Sequence, residues 1–212
     1  MNKALLTATT FALGLGLALP SAFATEISEI SADEYYGAAY YKEALEHPQI
    51  AKQKSDKKKL KLVARDMRWK KKKLKTAIDK VATLECDPTE MAIDAEKKAL
   101  AGTRVKGRVL AVLVSDAEPK HVVMYIRWRG SKAKEAVKEA SAIASTVAKT
   151  VPLVSTLSLA AIHPKARDDS KTPVWSAKIG TEAAARISES RIDSYADRMY
   201  ARLFEDVKKK HY

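Results

Sequence analysis

The chain has 212 residues, of which 46% are hydrophobic and 7% aromatic, and it carries a net charge of +13 with a single cysteine. This composition is sufficient for a folded core, and it excludes a disulfide-stapled secreted module because one cysteine cannot form an intramolecular bond. The positive charge favours acidic partners and is concentrated in residues 52–80, where fourteen Lys and Arg face three Asp for a local net charge of +11.

The N-terminal segment has the features of a secretory signal peptide. Lys3 supplies a positive start, residues 4–19 are uncharged and apolar, and Ala22 and Ala24 form a small-residue cleavage signature before Thr25. No cysteine follows the apolar core, so no lipoprotein attachment is expected. We therefore predict a leader that is removed on export and a mature protein that works in the periplasm or outside the cell.

The first helix of the mature chain is predicted over residues 31–46. Ser31 and Glu34 have the spacing of a capping box, and Ile30 with Tyr35 occupies the two positions of a hydrophobic staple. Because the residue before a proline avoids helical geometry, Pro48 should end this helix.

A long amphipathic helix is predicted over residues 49–84. An apolar seam recurs every seven positions, at Leu60, Met67, Leu74 and Val81. Lys70 interrupts the seam at its centre, and basic residues cover the opposite face. This cationic face is the candidate polyanion-binding site, and the alternative is a helix that packs on its own domain and leaves a solvated basic back. The candidate site comprises Lys58, Lys61, Arg65, Arg68, Lys70, Lys71, Lys72, Lys73 and Lys75.

The start of the next helix, predicted over residues 88–101, accounts for the single cysteine. Asp87 and Pro88 suit the N-cap and first position of a helix, which places Cys86 and Met91 at staple positions. We expect a buried cysteine, and the alternative is a thiol that pairs with another chain.

A β-hairpin is predicted next, because residues 105–114 are rich in β-branched side chains and residues 122–128 alternate across a turn-forming loop. Its ends form a secondary basic patch of Lys106, Arg108, Arg127 and Arg129. Residues near Arg108 should face those near Trp128 across the strand pair, which would allow a cation–π contact; the alternative is that these charges are the solvated ends of two strands.

The remaining segments are predicted to be mostly helical. A helix begins near Ser131 and runs to about Thr150, followed by a kink or second helix ending before Pro164. Residues 174–179 could form a third strand, and a final helix should begin after Gly180 and end near three lysines. Residues 142–162 have the length of a membrane span, but seven Ser, Thr and Pro residues make them weakly hydrophobic, so no span is predicted in the mature chain.

The chain is therefore predicted to be a helix-dominated α+β protein. Its parts would be the leader over 1–24, a basic helical hairpin or arm over 25–87, and an α+β domain over 88–212 with a small antiparallel sheet covered by helices. The four histidines are scattered, and no nucleophile or phosphate-loop motif is present, so we assign no catalytic residue, metal or cofactor.

The leading functional hypothesis is a non-catalytic binding or scaffold protein of the cell envelope. Its partner would be an anionic lipid surface, an acidic envelope polymer or an acidic protein, whereas export makes nucleic acid an unlikely target. The alternative hypothesis is an envelope enzyme whose active site is assembled from distant residues, since such a constellation leaves no local motif.

Overall fold

The computed structural model describes residues 25–84, 86–165 and 173–210, so the predicted leader lies outside the described residues. The predicted α+β class is confirmed. The described helices are α1 Ala32–Ala44, α2 Pro48–Ala51, α3 Asp56–Asp66, α4 Lys71–Ala82, α5 Pro88–Leu100, α6 Ala136–Thr150, α7 Thr181–Ala184 and α8 Ile192–Tyr195. The described strands are β1 Val109–Ser115, β2 Val123–Arg129, β3 Thr156–Ile162, β4 Trp175–Gly180 and β5 Glu205–Lys209.

The five strands form one mixed sheet in the order β1-β2-β3-β4-β5. The hairpin of β1 and β2 and the third predicted strand, β4, are present. The purely antiparallel sheet is wrong, because β2 and β3 pair in parallel while the other neighbours are antiparallel. A parallel pair needs a long crossover between its strands, and α6 provides it here.

Two strands occupy segments for which helix was predicted. β3 lies where a kinked or second helix was expected, and its side chains alternate so that Leu157, Leu159 and Ala161 are buried. β5 lies where the final helix was expected to end, and all five of its residues are exposed. Between Gly180 and β5 the chain forms only short helical turns, including α7 and α8.

The predicted helix caps at Ser31 and Asp87 are confirmed by their hydrogen bonds. The backbone N–H of Glu34 donates to the Ser31 hydroxyl at 3.3 Å, and the Glu34 carboxylate accepts from the Ser31 N–H at 3.1 Å. Asp87 caps α5 by accepting from the N–H of Thr89 at 2.8 Å. The predicted burial of Cys86 is wrong: the cysteine is exposed in an open groove that α5 partly lines, whereas Met91, its expected staple partner, is partly buried against the hydrophobic core.

The long helix over 49–84 is also wrong, since this segment forms α2, α3 and α4. A Schellman motif ends α3: the Trp69 N–H donates to the Ala64 carbonyl at 2.8 Å, and the Arg68 N–H donates to the Arg65 carbonyl at 3.1 Å. Arg68 takes the left-handed conformation that this motif requires, with φ of 57°. The chain therefore turns between α3 and α4 without the glycine that usually marks such a turn.

Buried side chains form two clusters. The larger one joins one face of the sheet to α5 and α6 and also includes Ile27, Ile30 and Tyr35 from the start of the described chain. The smaller one consists of Leu60, Val63, Ala64 and Leu74, contributed by α3 and α4. The boundary predicted between residues 87 and 88 stays a prediction. Among the described residues, no helix is both long and apolar enough to cross a membrane.

Candidate functional site

The turn between α3 and α4 is held against α1 by a tryptophan. The Trp69 ring lies on Gly37, where an added Cβ would come within 2.4 Å of ring atom Cζ3. A side chain at position 37 would therefore displace the ring. This close approach fixes the turn and, with it, the direction in which the basic residues of α3 and α4 face.

Seven of the nine predicted site residues are exposed and form no ion pair with a described residue; we call these seven the cationic surface. They are Lys58, Lys61, Arg65, Arg68, Lys70, Lys71 and Lys72. On α3, the basic side chains lie opposite the buried side of the helix, because Leu60, Val63 and Ala64 face the smaller core. Burial of the apolar side thus turns the cations toward solvent.

The other two predicted site residues, Lys73 and Lys75, have carboxylate partners. The Lys73 ammonium lies 3.1 Å from Asp33 of α1 and 3.9 Å from the centroid of the Trp69 ring. Lys75 pairs with Asp79 at 3.0 Å on the exposed side of α4, a pair of little energetic weight. Lys73 therefore anchors α4 to α1, which is a structural contact.

Lys80 makes a second link between α4 and α1. Its ammonium donates to the Glu34 carboxylate at 2.8 Å and to the Glu29 carbonyl at 3.1 Å. Partial burial raises the pKa of Glu34, but the hydrogen bonds from Lys80 and Ser31 outweigh this effect and hold the pKa below its ordinary value. The capping carboxylate of α1 thus also positions α4.

One residue of the secondary basic patch, Arg108, is paired with a buried glutamate, Glu139. Arg108 donates to Glu139 at 2.7 Å and to the Arg129 carbonyl at 2.9 Å. Trp128 is fully buried and its indole N–H donates to the same Glu139 at 2.8 Å, so the predicted cation–π contact between Arg108 and Trp128 is replaced by a shared carboxylate. Glu139 was not predicted because it lies on α6, 31 positions after Arg108 in the chain.

The other members of that patch differ in their surroundings. Lys106 is exposed, and Arg127 is half-buried on β2. Arg129 is half-buried too, and its Nε atom is buried without a hydrogen-bond partner. The four residues therefore do not present one uniform exposed surface, in contrast to the basic residues of α3 and α4.

A second buried glutamate, Glu96 of α5, was also missed. It is fully buried; one oxygen accepts from the Thr150 hydroxyl at 2.8 Å and the other has no partner. Burial raises the pKa of Glu96 to about 7, although the Thr150 hydrogen bond acts in the opposite direction. The sequence contained a local indication of this burial. Ala92 and Leu100 lie one helical turn to either side of Glu96 and are both buried, so Glu96 occupies a position on the apolar face of α5.

The described part of the chain contains no group of three or more His, Cys, Asp or Glu side chains that could hold a metal ion. Comparison with protein-family models, with curated proteins and with solved structures found no match. What the geometry defines is an α+β protein with an exposed cationic surface on a helical hairpin, positioned by Trp69 and by the ion pairs of Lys73 and Lys80.

Proposed function

We propose that this protein is an exported, non-catalytic binding or scaffold protein whose cationic surface contacts an acidic partner. The partner is an anionic lipid surface, an acidic envelope polymer or an acidic protein. The observation that carries the proposal is the cationic surface, whose seven exposed cations on α3, the turn and α4 have no carboxylate partner among the described residues. Their charges lie within about one Debye length of their neighbours and act together on a polyanion.

The cost of these cations to the fold supports the proposal. Lys70 is the N-cap of α4 and Lys71 and Lys72 open its first turn, where the helix dipole disfavours positive charge by about 0.3–1 kcal/mol per residue. Arg68 adds left-handed backbone strain at the same place. Acidic residues at the start of α4 and glycine at position 68 would stabilise the fold more than the residues present. We therefore infer that these cations have a role other than folding.

Measured binding to anionic targets tests the proposal. The variant Lys61→Gln, Lys70→Gln, Lys71→Gln and Lys72→Gln removes four charges but keeps Lys73, which contacts Asp33 and Trp69. The matched control variant removes four exposed, unpaired charges elsewhere, at Lys97, Lys98, Lys120 and Lys132. Both are compared with the wild-type chain from residue 25 on phosphatidylglycerol vesicles, phosphatidylcholine vesicles and an acidic polysaccharide.

We expect the first variant to lose affinity for the acidic targets and to show a flatter salt dependence, while the control retains most of both. The stability of the variant that lacks Lys61, Lys70, Lys71 and Lys72 should be equal to or higher than that of the wild type, because this variant removes cations from the N-terminus of α4. Equal loss in both four-site variants would mean that only net charge matters and would reject the surface. N-terminal sequencing of exported protein checks the predicted start at Thr25.

A further inference from the structure

A cleft of about 370 Å³ lies beside the cationic surface, between α1, α2 and α3. From α1 it is lined by Tyr40 and Glu43, and from α3 by Leu62, Arg65 and Asp66. The α3 residues follow the three-four spacing that places side chains on one helical face. The cleft is therefore formed by two helix faces that oppose each other.

Opposite charges lie in this cleft without neutralising each other. Neither Arg65 nor Glu43 forms an ion pair with any described residue. Asp66 accepts a hydrogen bond from the Tyr40 hydroxyl, which joins α1 to the end of α3. This bond raises the pKa of Tyr40 to about 12, so the hydroxyl remains a donor toward the cleft's acidic side.

The rest of the lining combines the polar residues His47 and Gln49 with apolar side chains that suit a short carbon chain. Ile50, Ala44 and Leu62 are half-buried apolar side chains of the cleft. A ligand that satisfied the cleft would carry an anion toward Arg65, a cation toward Glu43 and Asp66, and a short apolar link between them.

The geometry points to a binding site for a phosphate ester that carries a primary ammonium, of which the phosphoethanolamine group is the simplest form. Arg65 binds the phosphate and Glu43 with Asp66 binds the ammonium. Phosphate is favoured over carboxylate because Lys61, which lies outside the lining but one turn before Arg65 on α3, adds positive charge near Arg65. The group could belong to a lipid headgroup or to a soluble or glycan-linked ester. This site depends on the cleft and not on polyanion binding by the cationic surface.

Isothermal titration of the chain from residue 25 with O-phosphorylethanolamine tests the site. Arg65→Gln and Glu43→Gln should each weaken binding about tenfold or more, since each removes a charged hydrogen-bonding partner. Glu46→Gln, at the same end of α1 but outside the lining, and Lys72→Gln, on the cationic surface but outside the cleft, should leave affinity within about twofold.

Further ligands test whether the site requires the joined compound and whether its source is a lipid headgroup or a soluble or glycan-linked ester. Inorganic phosphate and ethanolamine alone should bind much more weakly than the joined compound, and equal binding by phosphate would overturn the proposal. Binding of phosphatidylethanolamine vesicles in preference to phosphatidylcholine vesicles supports a headgroup, and binding of the free ester alone supports a soluble or glycan source. No saturable binding of either form would overturn it. A variant with only Lys70→Gln, Lys71→Gln and Lys72→Gln, which keeps both Lys61 and Arg65, should still bind the free ester even if polyanion binding is lost or was never present.

Discussion

The buried Glu96 should make the free energy of unfolding depend on pH in an unusual direction. Its pKa is about 7 in the folded protein and about 4.5 in the unfolded chain, so the folded state holds more protons between these values. Stability from this group is fully present below about pH 4.5 and is lost as pH rises through 7. A difference of this size corresponds to about 3 kcal/mol.

The substitution Glu96→Gln isolates this contribution because glutamine has the shape of the protonated acid and does not titrate. The glutamine carbonyl can still accept a hydrogen bond from the Thr150 hydroxyl. The glutamine amide group would have no acceptor, just as the second carboxyl oxygen of Glu96 has no partner in the wild-type protein. That constant cost shifts the whole curve and leaves its slope unchanged. The stability of the variant relative to wild type should therefore rise by about 2–3 kcal/mol between pH 5 and pH 8, because pH 5 already lies above the unfolded-state pKa of about 4.5.

Urea unfolding of both proteins at pH 5, 6, 7 and 8 measures this difference. Glu90→Gln, an exposed position in the first turn of the same helix, is the control and should run parallel to wild type from pH 6 to pH 8. Parallel curves for Glu96→Gln would refute the reasoning, because they would mean that water or a cation reaches the carboxylate in solution.

Two further predictions concern the turn that positions the cationic surface. Gly37→Ala should destabilise the protein by about 1–2 kcal/mol despite the better helix propensity of alanine, because Trp69 must leave its place; unfolding curves and a red shift of tryptophan emission check this. Arg68→Gly should stabilise by about 1 kcal/mol by relieving the left-handed strain, whereas Arg65→Gly inside α3 should destabilise; the same stability for both glycine variants would contradict the turn geometry.

Local signals in the sequence predicted local structure well. The caps at Ser31 and Asp87 are confirmed because capping depends on residues only two or three positions apart. The hairpin of β1 and β2 is confirmed for the same reason, since a short loop joins strands that alternate.

Features that depend on distant partners could not be predicted in this way. β3 pairs in parallel with β2, and the segment before it continues the helical spacing of α6, so only the finished sheet distinguishes strand from helix. β5 is exposed along its whole length and has no apolar period to reveal it; it is held by backbone pairing to β4. The carboxylate of Glu139 meets Arg108 across 31 positions of sequence.

The turn at Arg68 explains why the sequence predicted which side of this segment is buried but did not predict that the segment is divided into α3 and α4. Leu60 and Leu74 keep their seven-residue register on both sides of the turn, so the apolar pattern concealed the break while it correctly identified the buried side. The turn then brings α4 against α1, where Asp33 pairs with the exposed Lys73 and Glu34 pairs with the half-buried Lys80. Acids on α1 thus serve packing, and the outward cations on α3 and at the start of α4 are left without partners. The same geometry that stabilises the hairpin therefore leaves one side of it available to an acidic partner.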